Sequence, residues 1–162
     1  MNTKTRKFNV ISNYQLALPL TFKILKNKEN FIISECNKSA VKLIENLNFW
    51  QEKKNLNIIP ALLIHGPIKS GKTHLSSIFQ QQNDAIILSK ITSDDIRLAE
   101  QGKNFIIDNF FPGKNFLSEL VMHFLNEVTY NSGSVLLLSR FSAFDMDWGL
   151  EDLNSRMRSI MS

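Results

Sequence analysis

Cysteine is nearly absent from this chain, and Cys36 stands alone. A single thiol excludes an internal disulfide and any cysteine-based metal site. The three histidines are scattered, so no metal-ligand cluster is expected. No apolar run approaches the roughly 20 residues that a membrane-spanning helix needs. The N-terminus, "MNTKTRKFNV", carries basic residues with no apolar signal core behind them, which points to the cytoplasm. Internal repeats and low-complexity segments are also lacking. Charge of one sign is only weakly in excess: 19 Lys and Arg stand against 15 Asp and Glu, a net +4. An excess of this size is ordinarily solvated surface; it permits weak contact with nucleic acid without arguing for it. What is present, 162 residues with 43% hydrophobic content, describes one soluble globular domain.

Residues 1–30 read as a polar arm interrupted by one apolar patch, "YQLALPLTF", and residues 31–162 as the folded core. "FIISECNKSAVKLIENL" opens with a short apolar run, a strand or a turn. It continues with Val41, Ile44 and Leu47 at helical spacing, and Asn37 is placed to cap that helix. After the charged loop "QEKKNLN", the run "ALLI" ends at a glycine-rich turn, and "THLSSIFQQ" restarts at helical spacing. The same grammar recurs in "AIIL" with its polar segment, in "FIID" before the helix "FLSELVMHFLNEV", and in "VLLLS" before a loop and the helix "LEDLNSRMRSIM". Apolar runs of four or five residues separated by helices are strands buried on both faces. The expected fold is therefore α/β, a parallel sheet flanked by helices.

Gly66, Gly71, Lys72 and Thr73 fit G-x-x-x-x-G-K-[ST] without a gap, between a buried strand and a helix start. Glycine lets the backbone curl around an anion, and the exposed amides and helix dipole favour phosphate. Lys72 adds positive charge, and the Thr73 hydroxyl can ligate magnesium. The whole loop, Gly66, Pro67, Ile68, Lys69, Ser70, Gly71, Lys72, Thr73 and His74, is thus a candidate nucleotide cradle. His65, just before it, reads as satisfied structure rather than chemistry. Asp108, ending "FIID", is the natural second half of such a site, holding magnesium through water. Asn109 comes next, where ATPases of the AAA+ type carry a carboxylate. An amide cannot accept a proton as a base would, so intrinsic hydrolysis is expected to be slow or absent, although Asn109 could still orient a water.

With these residues in place, the chain resembles the DnaA family of AAA+ proteins, and within it the Hda branch of replication-initiation regulators. The resemblance runs from Tyr14 onward. It is carried by "QLALPL", "NFIISECNKSAVKLIENLNFW", "ALLIHGPIKSGKTHLSSIF", "FIIDNF" and "LLLSR" with "WGLEDLNSRMRSI" after it. It implies a P-loop NTPase (AAA+) core with ADP or ATP and Mg2+ as ligands. Phe31, Ile32, Ile33 and Asn37 would then lie near the adenine; the apolar three read equally well as core. It also implies that Gln15, Leu16, Leu18, Pro19 and Leu20 form a peptide for the DNA polymerase sliding clamp. Gln15 would bond at a pocket mouth, the leucines would anchor, and Pro19 would lower the entropy cost of an extended form. The other reading of that stretch is an arm folded onto its own domain. Ser139 matches the family's polar sensor beside the γ-phosphate, or is simply a turn residue. Arg156 matches its arginine finger, directed at a nucleotide on a neighbouring subunit, with Arg158 as the spare; a solvated helix arginine is the plainer reading of either. Asp145, Asp147 and Trp148 form no recognisable site and suggest a loop with one anchoring aromatic.

In the family the chain continues past the arginine segment into another core strand and a small helical lid with a second sensor arginine. This sequence stops at Ser162. The resemblance therefore implies a lidless core with the phosphate-loop strand on an exposed edge. The leading expectation is an Hda-like adaptor, tethered to the clamp and presenting Arg156 to ATP-bound DnaA, with DNA contacted only through partners and self-association possible. The alternatives are an autonomous ATPase of helicase-loader type and a remnant that acts without nucleotide. Direct reading of DNA sequence is disfavoured, because the sequence carries no helix-turn-helix domain after the core.

Overall fold

The computed structural model describes residues 30–46 and 59–162. The clamp-like stretch Gln15 to Leu20, the arm around it and Leu47 lie outside the described residues. The described elements are α1 (Lys38–Glu45), β1 (Ala61–His65), α2 (Lys72–Asn83), β2 (Ile86–Leu88), α3 (Ser93–Glu100), β3 (Phe105–Ile107), α4 (Ser118–Tyr130), β4 (Val135–Ser139), a 3-10 turn (Ala143–Asp145) and α5 (Glu151–Ser159).

The strands form one sheet in the order β1-β4-β3-β2, and every pairing is parallel. The apolar runs explain this arrangement. Side chains alternate across the pleat, so a parallel strand with helices on both sides must be apolar throughout. β4 shows this at full strength, with all five residues buried. Ala61, Leu63, Phe105, Ile107, Val135 and Leu137 point into one apolar cluster with α3, α4 and α5. Leu62, Ile106, Leu136 and Leu138 point into a second, with α1 and α2. The result is a helix, sheet, helix sandwich.

Two local expectations are revised. "AIIL" leads not into a plain polar segment but into α3, in which only Ile96 and Ala99 are buried. A capping box starts it: the Asp95 amide donates to Thr92 Oγ1 at 3.4 Å, and the Thr92 amide donates to Asp95 Oδ2 at 2.8 Å. Asn37 does occupy the N-cap position of α1, but its side chain caps nothing there. It turns back, accepting from the Ser34 amide at 2.8 Å and donating to the Ile32 carbonyl at 3.0 Å. The run before α1 is consequently a turn rather than a strand.

The expected bare edge at β1 is revised as well. α5 is followed by Ile160, which is buried and extended, and this returns the chain to the sheet. Met161 then bridges Leu62 in parallel, and its carbonyl accepts from the Leu63 amide at 2.8 Å. Ile160 faces the first cluster and Met161 packs on the second, the alternation of a strand. Among the described residues, the outer edge of β1 is therefore covered at one point, by Met161.

Candidate nucleotide site

β1 carries the phosphate loop, β3 carries Asp108, and β4 lies between them. The register pairs His65 with Ser139 and Ile107 with Leu137. β1 and β4 therefore end level and β3 ends two residues short of them, and the segments that leave the three strands converge on one cavity of about 710 Å³. A crevice outside the carboxyl ends of parallel strands is where open α/β sheets bind ligands.

The loop's curl depends on backbone conformations that most residues avoid. Gly66 (φ 146°) and Gly71 (φ 90°) adopt positive φ, and so does Lys69 (φ 67°). α2 begins directly after Gly71, so no helical carbonyl lies upstream for the amides of Lys72 and Thr73, and they face outward with the positive end of the helix. Lys72 folds into the centre of the curl. Its Nζ donates to the carbonyls of Gly66 (2.8 Å) and Pro67 (2.7 Å) and to Ser70 Oγ (3.1 Å). The cradle therefore already centres a cation, which fits a phosphate: an anion entering the curl meets amides, the helix end and Lys72 together.

Residues 68–74 line the cavity together with Asp108, Asn109, Leu138, Ser139 and Arg140. Asp108 is exposed, and its Oδ1 accepts from the Asn109 amide at 2.8 Å. Asn109 itself is held at φ 54°, a left-handed conformation that asparagine tolerates better than most residues. Ser139 is buried at the end of β4. Its Oγ accepts from the Phe141 amide at 3.1 Å, which leaves the hydroxyl proton to donate into the cavity. Among the described residues no group of three or more His, Cys, Asp or Glu could hold a metal. Thr73 and Asp108 would hold Mg2+ together with phosphate oxygens and water. Bound there, the ion would neutralise phosphate charge.

The base-side residues separate. Phe31 is half-buried on the loop: its ring lies 4.9 Å from that of His74, edge to face, and a Cβ on Gly71 would sit 3.7 Å from Phe31 Cε2. Ile32 and Ile33 are 85% and 55% exposed, so the core reading of these two does not hold. None of the three lines the cavity, nor does Asn37, which instead ties the turn that carries them.

Arg156 also lies outside the cavity. Its Nε donates to Asp152 Oδ1 at 3.3 Å and its Nη1 to Asn126 Oδ1, on α4, at 2.7 Å. Arg158 is exposed. It contributes to holding the Asp147 carboxyl below its usual range, after the larger effects of the Gly149 amide and the Asn154 side chain. The Asp145 carboxyl is lowered as well, by the Ser142 hydroxyl and amide and then by His65. Trp148 is the anchoring aromatic, buried 4.9 Å from Phe110. The residue that sequence reasoning missed is Arg140. Its only signal is a cation directly after the polar residue that ends a buried strand.

Fold and cavity together define a P-loop core with the AAA+ architecture. Solved structures make the likeness more specific. AMPPCP-bound DnaA from Aquifex aeolicus superposes with a TM-score of 0.62 at 18% identity, over 86% of this chain and 49% of that one. Domain III of the Thermotoga maritima replication initiation protein DnaA gives 0.61 at 20%, over 84% and 65%. A DnaA initiator bound to AMPPCP and single-stranded DNA gives 0.63 at 18%, over 82% and 47%. The chain thus has the AAA+ fold of DnaA domain III, and it spans about half the length of the first of these chains. No family model matches it. The curated Fanconi anemia group D2 protein of Gallus gallus is 23% identical over 135 residues, which are 83% of this chain and 9% of that protein. That similarity assigns no family. Among the described residues, no helix is long and apolar enough to cross a membrane.

Proposed function

We propose that this chain is a replication-initiation-related AAA+ adaptor of the Hda type: it holds ADP or ATP with Mg2+ and stimulates ATP hydrolysis by the DnaA initiator. The observation that carries this is the convergence of the phosphate loop, Asp108 and Ser139 on one cavity, with an amide, Asn109, at the position of a general base. A site that binds triphosphate but lacks a base suits regulation better than turnover. The DnaA likeness of the fold and the AMPPCP in two of the similar structures support the same reading.

In this proposal the chemistry takes place in the partner. Arg156 supplies a guanidinium to the charge developing on DnaA-bound ATP, and Gln15 to Leu20 tether the chain to the sliding clamp. Its hold on Asn126 and Asp152 supports a positioned rather than a wandering side chain, since two contacts fix the guanidinium plane. The test is hydrolysis by DnaA–ATP with the protein and clamp-loaded DNA. Stimulation that disappears both with Arg156→Ala and with Gln15→Ala plus Leu16→Ala is the expected result. Equal DnaA turnover with and without the protein would refute the adaptor.

A further inference from the structure

We infer that Arg140 is a second phosphate-binding cation of the cavity, one that discriminates triphosphate from diphosphate. The inference rests on the nucleotide-binding reading of this cavity and adds a specificity residue to it. β4 is the strand between the phosphate loop and Asp108, so Arg140, its first residue past Ser139, leaves the sheet between the two halves of the site. The Ser139 hydroxyl bonds to the Phe141 amide at 3.1 Å and so pins the backbone on either side of Arg140. Arg140 lines the cavity and is exposed, and among the described residues it has no hydrogen-bond or ion-pair partner. Arg97 and Arg156 both have one.

Charge balance supports an anionic ligand. Lys69, Lys72 and Arg140 face the cavity against the single carboxylate Asp108, so its walls carry a surplus of positive charge that a polyphosphate would neutralise. The cations are not equivalent. Lys72 is committed to the base of the curl through three oxygens, whereas Arg140 stands on the wall formed by the ends of β3 and β4. A phosphate chain seated on the loop and lengthened by one unit extends its added charge away from the loop and towards that wall. A guanidinium fork suits two oxygens of one terminal phosphate.

The experiment is calorimetric titration of the full chain with the Mg2+ complexes of a non-hydrolysable ATP analogue and of ADP, using wild type, Arg140→Ala, Arg140→Lys and Lys72→Ala. For Arg140→Ala the expected result is a rise in triphosphate Kd of roughly tenfold or more, with the ADP Kd moving less than about twofold. Arg140→Lys should fall between, and the effect should shrink in high salt. Equal weakening of both ligands would overturn the proposal, as would no change in either. If wild type bound neither nucleotide, the underlying nucleotide reading would fall and Arg140 with it. Wild-type binding of both, lost in Lys72→Ala but untouched in Arg140→Ala, would remove the Arg140 assignment alone. Melting curves of the unliganded Arg140 variants check folding; an exposed side chain without partners should leave them unchanged.

Discussion

Lys72→Ala tests the site most directly, because the structure separates its effect on the fold from its effect on the ligand. In the unliganded chain Lys72 donates to three oxygens of its own loop. Two of these bonds are exposed and one is part-buried, so after substitution water can reach most of the acceptors. A net hydrogen bond contributes about 1 kcal/mol, and rehydration offsets part of that, so the unliganded protein should lose no more than about 1–2 kcal/mol. Phosphate binding should suffer more, since Lys72 is the cation at the centre of the curl. Loss of charge-assisted bonds there is expected to weaken Kd on the order of 100-fold, or about 2.8 kcal/mol. Thermal melting reads both effects. At ligand about 100 times the wild-type Kd, binding stabilises wild type by about 2.7 kcal/mol. At roughly 2–4 °C per kcal/mol for a domain of this size, that is a shift of about 5–11 °C. The variant at the same concentration sits near its own Kd and gains only about 0.4 kcal/mol, a shift of about 1–2 °C. A variant retaining the full ligand shift would show that the curl does not bind phosphate through Lys72.

Two further substitutions probe chemistry and charge. Asn109→Asp places a carboxylate in a left-handed position that aspartate also tolerates, so hydrolysis by the chain alone should rise by at least about tenfold in single-turnover assays. An unchanged rate would mean that the missing base is not what limits it. Asp147 has a folded pKa below the ordinary aspartate value of 3.8, chiefly because the Gly149 amide and Asn154 bond its charged form. Its contribution to stability is therefore complete above pH 3.8 and is lost as pH falls through the lower folded value. Carboxyl NMR should find its midpoint below 3.8, and Asp147→Asn should flatten the decline of stability in that acid window. A midpoint at or above 3.8 would contradict the turn geometry at Gly149 and Asn154.

Much of this fold was legible because its signals are local. Buried parallel strands require continuous apolar runs, and "ALLI", "FII" and "VLLLS" can scarcely be anything else once helical spacing lies between them. The phosphate loop was legible for the same reason: its glycines, Lys72 and Thr73 are neighbours in the chain and act through backbone shape. α3 was missed because it buries only Ile96 and Ala99, which leaves too little apolar periodicity. The Thr92 and Asp95 pair was its available signal.

The sequence by itself determined the class of fold, the glycine-rich curl after β1 and the position of Asp108 at the end of a buried strand, since each depends on residues close together along the chain. Tertiary structure decided the rest. Pairing placed β4, the last of the four described strands in the chain, between β1 and β3, and this delivers Arg140 to the cavity. Packing of α5 on α4 joined Arg156 to Asn126 and brought Met161 back to the β1 edge. Exposure alone separated Ile32 and Ile33 from the core. These outcomes turn on which distant elements share a neighbour, and short-range patterning carries no record of that.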